Sequence, residues 1–328
     1  VAGGWHAKVA ADGLNSPRQI AVHHGAVYVA EAGLGDGVCS GPDPGIGFTG
    51  SVTRVWKGHA ARVQQGLLSV CTGENGFPEV VGVDALTFKG GRLYGIATST
   101  CPQPPVAQVG RVLRLYGGSA VGYAGNPGAF ECANDPDGLG PDSDPYGIVA
   151  GRRGFYVADA AGNDIVHVVD GRTRLVALIP ATKDVQEVPT SLAWGPDGHL
   201  YIGTLSFSNP GHAKVYRLDV RSGHLRVYAD GLNPITALAF GPHGRLFVSE
   251  FTTSFGPTGP GPDGDVVAIP WGGGRQGREV IGAGVLHFPG GVAWSHGRLY
   301  VSNYSLLPGV DTPGNPPGAH GALLAFSR

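Results

Sequence analysis

The sequence is defined first by what it lacks. It contains no methionine, only 15% charged residues, and no apolar run near the roughly 18 residues a membrane span needs. The charges nearly balance at a net −2, and no stripe of lysine and arginine occurs, which argues against nucleic acid as a partner. Cysteine is sparse, at four residues, and they form no CxxC pair beside paired histidines, so a structural zinc site is excluded. There is no serine nucleophile elbow, no HExxH and no phosphate-binding glycine loop. A start at Val1 rather than methionine suggests processing, most simply removal of a signal peptide, and hence a secreted or periplasmic protein. In such a compartment the four cysteines read as two disulfides.

What the sequence has is turns and short apolar strands. Glycine (57) and proline (26) make up about a quarter of the 328 residues, with no collagen-like period, which points to an all-β protein. Six segments share one pattern: "SPRQIAVHHGAVYVAEAG", "GVDALTFKGGRLYGIATS", "DPYGIVAGRRGFYVADAAG", "VPTSLAWGPDGHLYIGTLS", "ITALAFGPHGRLFVSEF" and "FPGGVAWSHGRLYVSNYS". Each is a strand, a tight turn and a second strand with an aromatic near its start. These aromatics are Tyr28, Tyr94, Tyr156, Tyr201, Phe247 and Tyr300, spaced 66, 62, 45, 46 and 53 apart. Strand-only repeats of this length predict a six-bladed β-propeller, with the pair as strands A and B of each blade. The sixth outer strand is missing from the C-terminal end. "HAKVAADGL" matches "HLRVYADGL" and supplies it, so residues 5–11 are expected to close the last blade against residues 320–327, making 1–328 one domain.

In this arrangement the start of A and the end of B share one face, with long B–C loops at 32–48, 99–108, 205–212, 251–263 and 304–319. Function is expected on that face. The cysteines fall on it too, and their positions predict the pairs Cys39–Cys71 and Cys101–Cys132. Strand A opens with Arg18, Asp84, Tyr146, Thr190, Thr236 and Gly290, a ring expected to line the channel mouth, the first five as ligand-binding residues. Strand B ends with Glu31, Asp159, Glu250 and Asn303, oxygen donors suited to a hard cation, Ca²⁺ before others. Asp159, in "DAAGND", equally suits a turn that it caps itself. For a catalytic site, Asp84 and His287 are the candidate proton carriers. The loop "ECANDPDGLGPDSDPYG", with Asp135, Asp137, Asp142 and Asp144, resembles a calcium loop in composition but lacks EF-hand spacing, and reads more readily as a Pro/Asp-rich turn than as a metal site. His24, His199, His243 and His296 fall in hairpin turns on the far face.

Taken together, "GLNSPRQIAV", "VYVAEAG", "NDPDGLGPDSDPYGI", "FYVADAAGNDIVHV" and "VYADGLNPITALAFGPHGRLFV" resemble the ScyD/ScyE family of exported propellers, across almost the whole chain. "GPDGHLYIG" is shared with NHL-type and gluconolactonase-type propellers. The resemblance implies a six-bladed exported propeller, and the ring of polar groups under long, disulfide-tied loops adds the expectation that its loop-rich face binds a small molecule or a protein partner. The gluconolactonase-type alternative implies a metal-dependent hydrolase or lyase acting in the channel. Its pattern wants an acid at the start of the first A strand, where this chain has Arg18.

Overall fold

The computed structural model describes residues 4–36, 45–72, 79–181, 186–206, 210–256, 259–311 and 315–328. Six antiparallel sheets surround a central axis. From the axis outward, blade 1 has Pro17–His23, Ala26–Glu31, Gly45–Trp56 and His59–Thr72, with a short edge strand Glu79–Val81. Blade 2 has Val83–Lys89, Arg92–Ala97, Val112–Leu115 and Val121–Gly125. Blade 3 has Pro145–Ala150, Phe155–Asp159, Asp164–Val169 and Arg172–Leu178. Blade 4 has Pro189–Trp194, Leu200–Thr204, Ala213–Asp219 and His224–Leu232. Blade 5 has Ile235–Phe240, Leu246–Glu250, Asp263–Ile269 and Glu279–His287. Blade 6 has Gly291–Ser295, Arg298–Asn303 and Ala322–Ser327, and His6–Asp12 from the other end of the chain completes it. This closing strand pairs antiparallel from His6↔Ser327 to Asp12↔Ala322, within two residues of the expected bounds.

The anchor aromatics recur because each fills the gap to the next blade. Tyr28 meets Phe88, Tyr156 meets Trp194, and Tyr201 meets Phe240, all edge-on at 4.9, 5.5 and 4.8 Å between ring centroids. Phe247 stacks on Trp294 at 5.4 Å. Such contacts add roughly 0.5–1.5 kcal/mol each beyond simple burial. The buried residues fall into clusters that match the six blade-to-blade junctions, including blade 6 to blade 1. Second strands such as Phe155–Asp159 are buried at every position, whereas the outer strand Arg172–Leu178 is mostly exposed. Sheets covered on both faces favour such unbroken apolar runs.

The tight A–B turns lie at one end of the propeller. His24 and Gly25, and likewise His296 and Gly297, both have positive φ, the conformation that primed hairpin turns demand. The longer connections lie at the other end. There α1 (Pro127–Asn134) sits between blades 2 and 3, and the disulfide Cys101–Cys132 ties it to the B–C loop of blade 2. Of the other expected pair, Cys39 lies outside the described residues. Cys71 is buried and disulfide-bonded.

Candidate functional site at the channel mouth

Strand A of blades 1 to 5 puts its second residue at the loop-rich mouth of the channel, and Gly290 holds the equivalent place just before strand A of blade 6. On blades 4 and 5 the Thr190 hydroxyl donates to the Ile235 carbonyl, and the Thr236 hydroxyl donates to the Pro289 carbonyl at 2.8 Å. These side chains stitch neighbouring blades together. At Gly290 of blade 6 an added Cβ would lie 2.7 Å from Ser305 and 2.8 Å from the Pro17 carbonyl, so the close approach of blade 1 requires glycine. The ionisable chemistry is on blades 1 to 3.

There Arg18, 2% exposed, places its guanidinium 3.4 Å from Asp84 and 3.2 Å from Glu79, and donates to the Val80 carbonyl. Asp84 is wholly buried, and apart from the Arg18 guanidinium and the Gly82 backbone N–H no protein group among the described residues reaches its carboxylate. Burial pushes its carboxyl up to about 6 against the pull of Arg18, and the Glu79 charge adds to the rise. Asp144 accepts from the Thr98 hydroxyl at 2.7 Å. Burial and then the Asp84 charge raise it well above the usual carboxylate range. The Tyr146 hydroxyl is raised by burial, with Arg18 pulling it down and Asp84, Glu79 and Asp144 pushing it up. Burial opposes the charge on Arg18, but Tyr146, Glu79 and Asp84 hold it firmly protonated. Arg18, Asp84 and Tyr146 thus come together as the sequence suggests. Glu79 and Asp144 join them from the connections that precede blades 2 and 3. Their only sequence signal is proximity to strand A.

One residue deeper, Gln19 closes the mouth. Its amide Nε2 reaches across the axis and donates to the Thr190 and Thr236 carbonyls, at 2.8 and 2.9 Å. Beyond it, toward the far face, lies a cavity of about 340 Å³ with a mixed lining that includes Gln19 itself, Val22, Thr87, Phe88, Ile148 and Trp194.

The residues that end strand B do something different from what the sequence suggests. Glu31 accepts the Asn15 N–H (2.8 Å), the Thr53 hydroxyl (2.6 Å) and Arg62 Nη2 (2.8 Å). Asp159 accepts the Ser143 hydroxyl (2.7 Å) and the N–H groups of Asp144 (2.7 Å) and Gly162 (3.1 Å). Glu250 accepts the Asn233 N–H and side-chain amide, both at 2.8 Å. Asn303 accepts the His287 N–H at 2.6 Å. Each clasps the connection that leads into strand A of its own blade. They sit one strand away from the axis, and among the described residues they form no common cluster of ligand atoms. The expected metal shell of Glu31, Asp159, Glu250 and Asn303 is therefore not assembled. At the mouth itself a guanidinium, not an open oxygen cage, lies between Asp84 and Glu79, so the channel residues do not fit a divalent ion. His287 is also apart from Asp84. Its ring stacks on Tyr304 (5.1 Å) and lies 3.6 Å from Asp263, at the junction of blades 5 and 6.

No protein-family model matches the chain, and no curated protein matches it. Solved structures share the fold. Virginiamycin B lyase from Staphylococcus aureus is 14% identical with a TM-score of 0.53, over 92% of this chain and 83% of that one. A streptogramin B lyase is 14% identical, TM-score 0.55, over 98% and 97%. A putative oxidoreductase (glucose dehydrogenase) from Thermus thermophilus is 18% identical, TM-score 0.57, over 98% and 100%. At these identities the likeness is one of fold.

Proposed function

We propose that this is an exported propeller of the ScyD/ScyE type whose channel mouth binds a small donor-rich ligand, an amine or a polyol. The observation that carries the reading is Asp84, fully buried and short of hydrogen-bond donors, in a cluster where Glu79, Asp84 and Asp144 outnumber Arg18. A buried acceptor without a donor is costly, and a ligand N–H or O–H would relieve it. Tyr146 adds a ring face and a hydroxyl at the same place. The Cys101–Cys132 disulfide fits an oxidising compartment.

The test is a thermal-melt screen of amines, polyols and carboxylic acids, repeated on Asp84→Asn and Tyr146→Phe. Amines or polyols should raise the melting temperature of the parent protein, and Asp84→Asn should lose most of that rise. Selective stabilisation by carboxylic acids would assign the site to Arg18 instead and overturn the reading.

A second reading has its own support. A carboxyl held near pH 6 exchanges protons readily at neutral pH, which suits a lyase or hydrolase with Asp84 as acid–base and Tyr146 beside it. Two of the similar structures are lyases by name. Turnover of lactones or esters with an inflection near pH 6, lost in Asp84→Asn, would establish it. This reading runs without a metal in the channel and without His287.

A further inference from the structure

The connection from blade 2 to blade 3 crosses the same face as the mouth, but its acidic residues gather elsewhere, over blade 3. Asn126 caps α1 by accepting the Ala129 N–H at 2.9 Å. Asp135 ends the helix in a left-handed conformation, its N–H donating to the Glu131 carbonyl. This local geometry brings Glu131, Asp135 and Asp137 to one point, with a carboxylate oxygen of each within 4.8 Å of the others. Asp164, which opens the third strand of blade 3, lies against Glu131.

A second observation separates this group from ordinary surface acids. Glu131 is 1% exposed and Asp164 is 0% exposed; their two carboxyls lie within hydrogen-bond reach of each other, and no other described residue supplies a donor to any of the four oxygens. Among the described residues, no lysine, arginine or histidine forms an ion pair with Glu131, Asp135, Asp137, Asp159 or Asp164. Asp135 and Asp137 are partly engaged, accepting from Gly140 N (3.2 Å), Leu139 N (2.9 Å) and the Asn163 amide (3.0 Å). The backbone of Gly162 packs so close that a Cβ there would lie 2.7 Å from the Glu131 carboxyl carbon. Buried carboxylates without compensation are expensive, so some positive charge belongs among them.

We propose that Glu131, Asp135, Asp137 and Asp164 bind one Ca²⁺ ion. The donor set is all oxygen, with no histidine or thiolate, which selects a hard cation. Oxygens of Glu131, Asp135 and Asp137 within 4.8 Å of one another can share one ion at calcium's ligand distances of about 2.3–2.6 Å, and Asp164 beside Glu131 is placed to join them; calcium's tolerant geometry suits such a set better than magnesium's strict octahedron at about 2.0–2.1 Å. Water completes the six to eight positions that calcium takes. The ion would fix the loop whose end delivers Ser143 and Asp144 to Asp159, and so steady the wall of the mouth from outside it. The site stands apart from the mouth and does not rest on the ligand proposed there.

The rival arrangement is a proton shared between Glu131 and Asp164 with no ion. Burial, with the charges of Asp159, Asp137 and Asp135, holds Glu131 up at about 8, which suits either state. The experiment is equilibrium dialysis with CaCl₂ after chelator treatment, alongside melts in calcium, magnesium and chelator. We expect one calcium bound per chain and a melting temperature raised by calcium more than by magnesium. Glu131→Gln should weaken calcium binding by at least about tenfold, because ligand charge count sets affinity at such sites. In chelator the same variant should melt at or above the parent, since it removes an uncompensated buried charge. Should Glu131→Gln fail to fold, Asp137→Asn on the outer part of the loop must show the same loss of affinity. No calcium effect on the melt up to about 10 mM, well above the usual range for extracellular sites, would overturn the proposal in favour of the shared proton. Calcium binding that survives both substitutions would overturn it as well.

Discussion

Asp159 shows how one side chain can be read in two ways. It ends an apolar strand on the functional face, where a metal ligand would belong, yet its oxygens are taken up by Ser143, Asp144 and Gly162. Asp159→Ala should therefore destabilise the protein by about 3 kcal/mol in urea unfolding, because it strands three buried donors. Its fellow acid Asp265 is held up to about 8 by burial and then by Glu250. A carboxyl raised in the folded state favours folding at low pH, and that contribution is lost as pH climbs through its folded value. Asp265→Asn should thus stabilise at pH 8 by on the order of 1–2 kcal/mol, and should have little effect at pH 5. The sequence already offered Asp159 as a turn residue, since "DAAGND" carries its own partners. It could not show how far strand B lies from the axis, so Glu31, Glu250 and Asn303 looked convergent when each serves its own blade. The pairing of Glu131 with Asp164 was equally hidden, because it depends on how a long connection folds over blade 3.

The closing strand is the element on which the ring depends. Trp5, just before it, is 4% exposed, packs edge-on against Trp294 at 6.5 Å, and donates its indole N–H to Glu279. Trp5→Ala should cost about 3–5 kcal/mol, read from the shift in denaturation midpoint. At the strand's other end His320 contacts both Asp311 (2.7 Å) and Asp12 (2.8 Å). The Asp311 hydrogen bond, outweighing burial and aided by Asp12, raises the imidazole above its ordinary value. That contribution is complete below about pH 6.5 and fades as pH rises through the folded value. His320→Ala should therefore lower the melting temperature at pH 6 and leave it nearly unchanged at pH 9. This element was plain in the sequence, because "HAKVAADGL" repeats the outer-strand text of blade 4. The blade pairs were plain for a similar reason: an aromatic such as Tyr201 or Phe247 must recur wherever a gap between blades has to be filled.

For the molecule as a whole, the raised acids set one trend. Asp84 and Asp159 are held near 6 and Glu131 and Asp265 near 8, chiefly by burial. The folded protein therefore holds more protons than the unfolded chain between about pH 4 and 8, and its stability should fall across that interval. Urea midpoints measured in chelator should be higher at pH 5 than at pH 8. Calcium should flatten the upper part of the curve if it replaces the proton at Glu131.

Gln19 gives the ring a property that the count of blades alone does not. Because one amide joins blade 1 to the Thr190 and Thr236 carbonyls across the axis, the mouth and the far-face cavity lie on opposite sides of a polar crossbar. The far-face cavity, where Gln19 and Thr87 add polar surface to the apolar lining, is set off by this amide from the charged cluster of Arg18 and Asp84. A ligand at the mouth, as proposed, would then enter and leave on the loop-rich side.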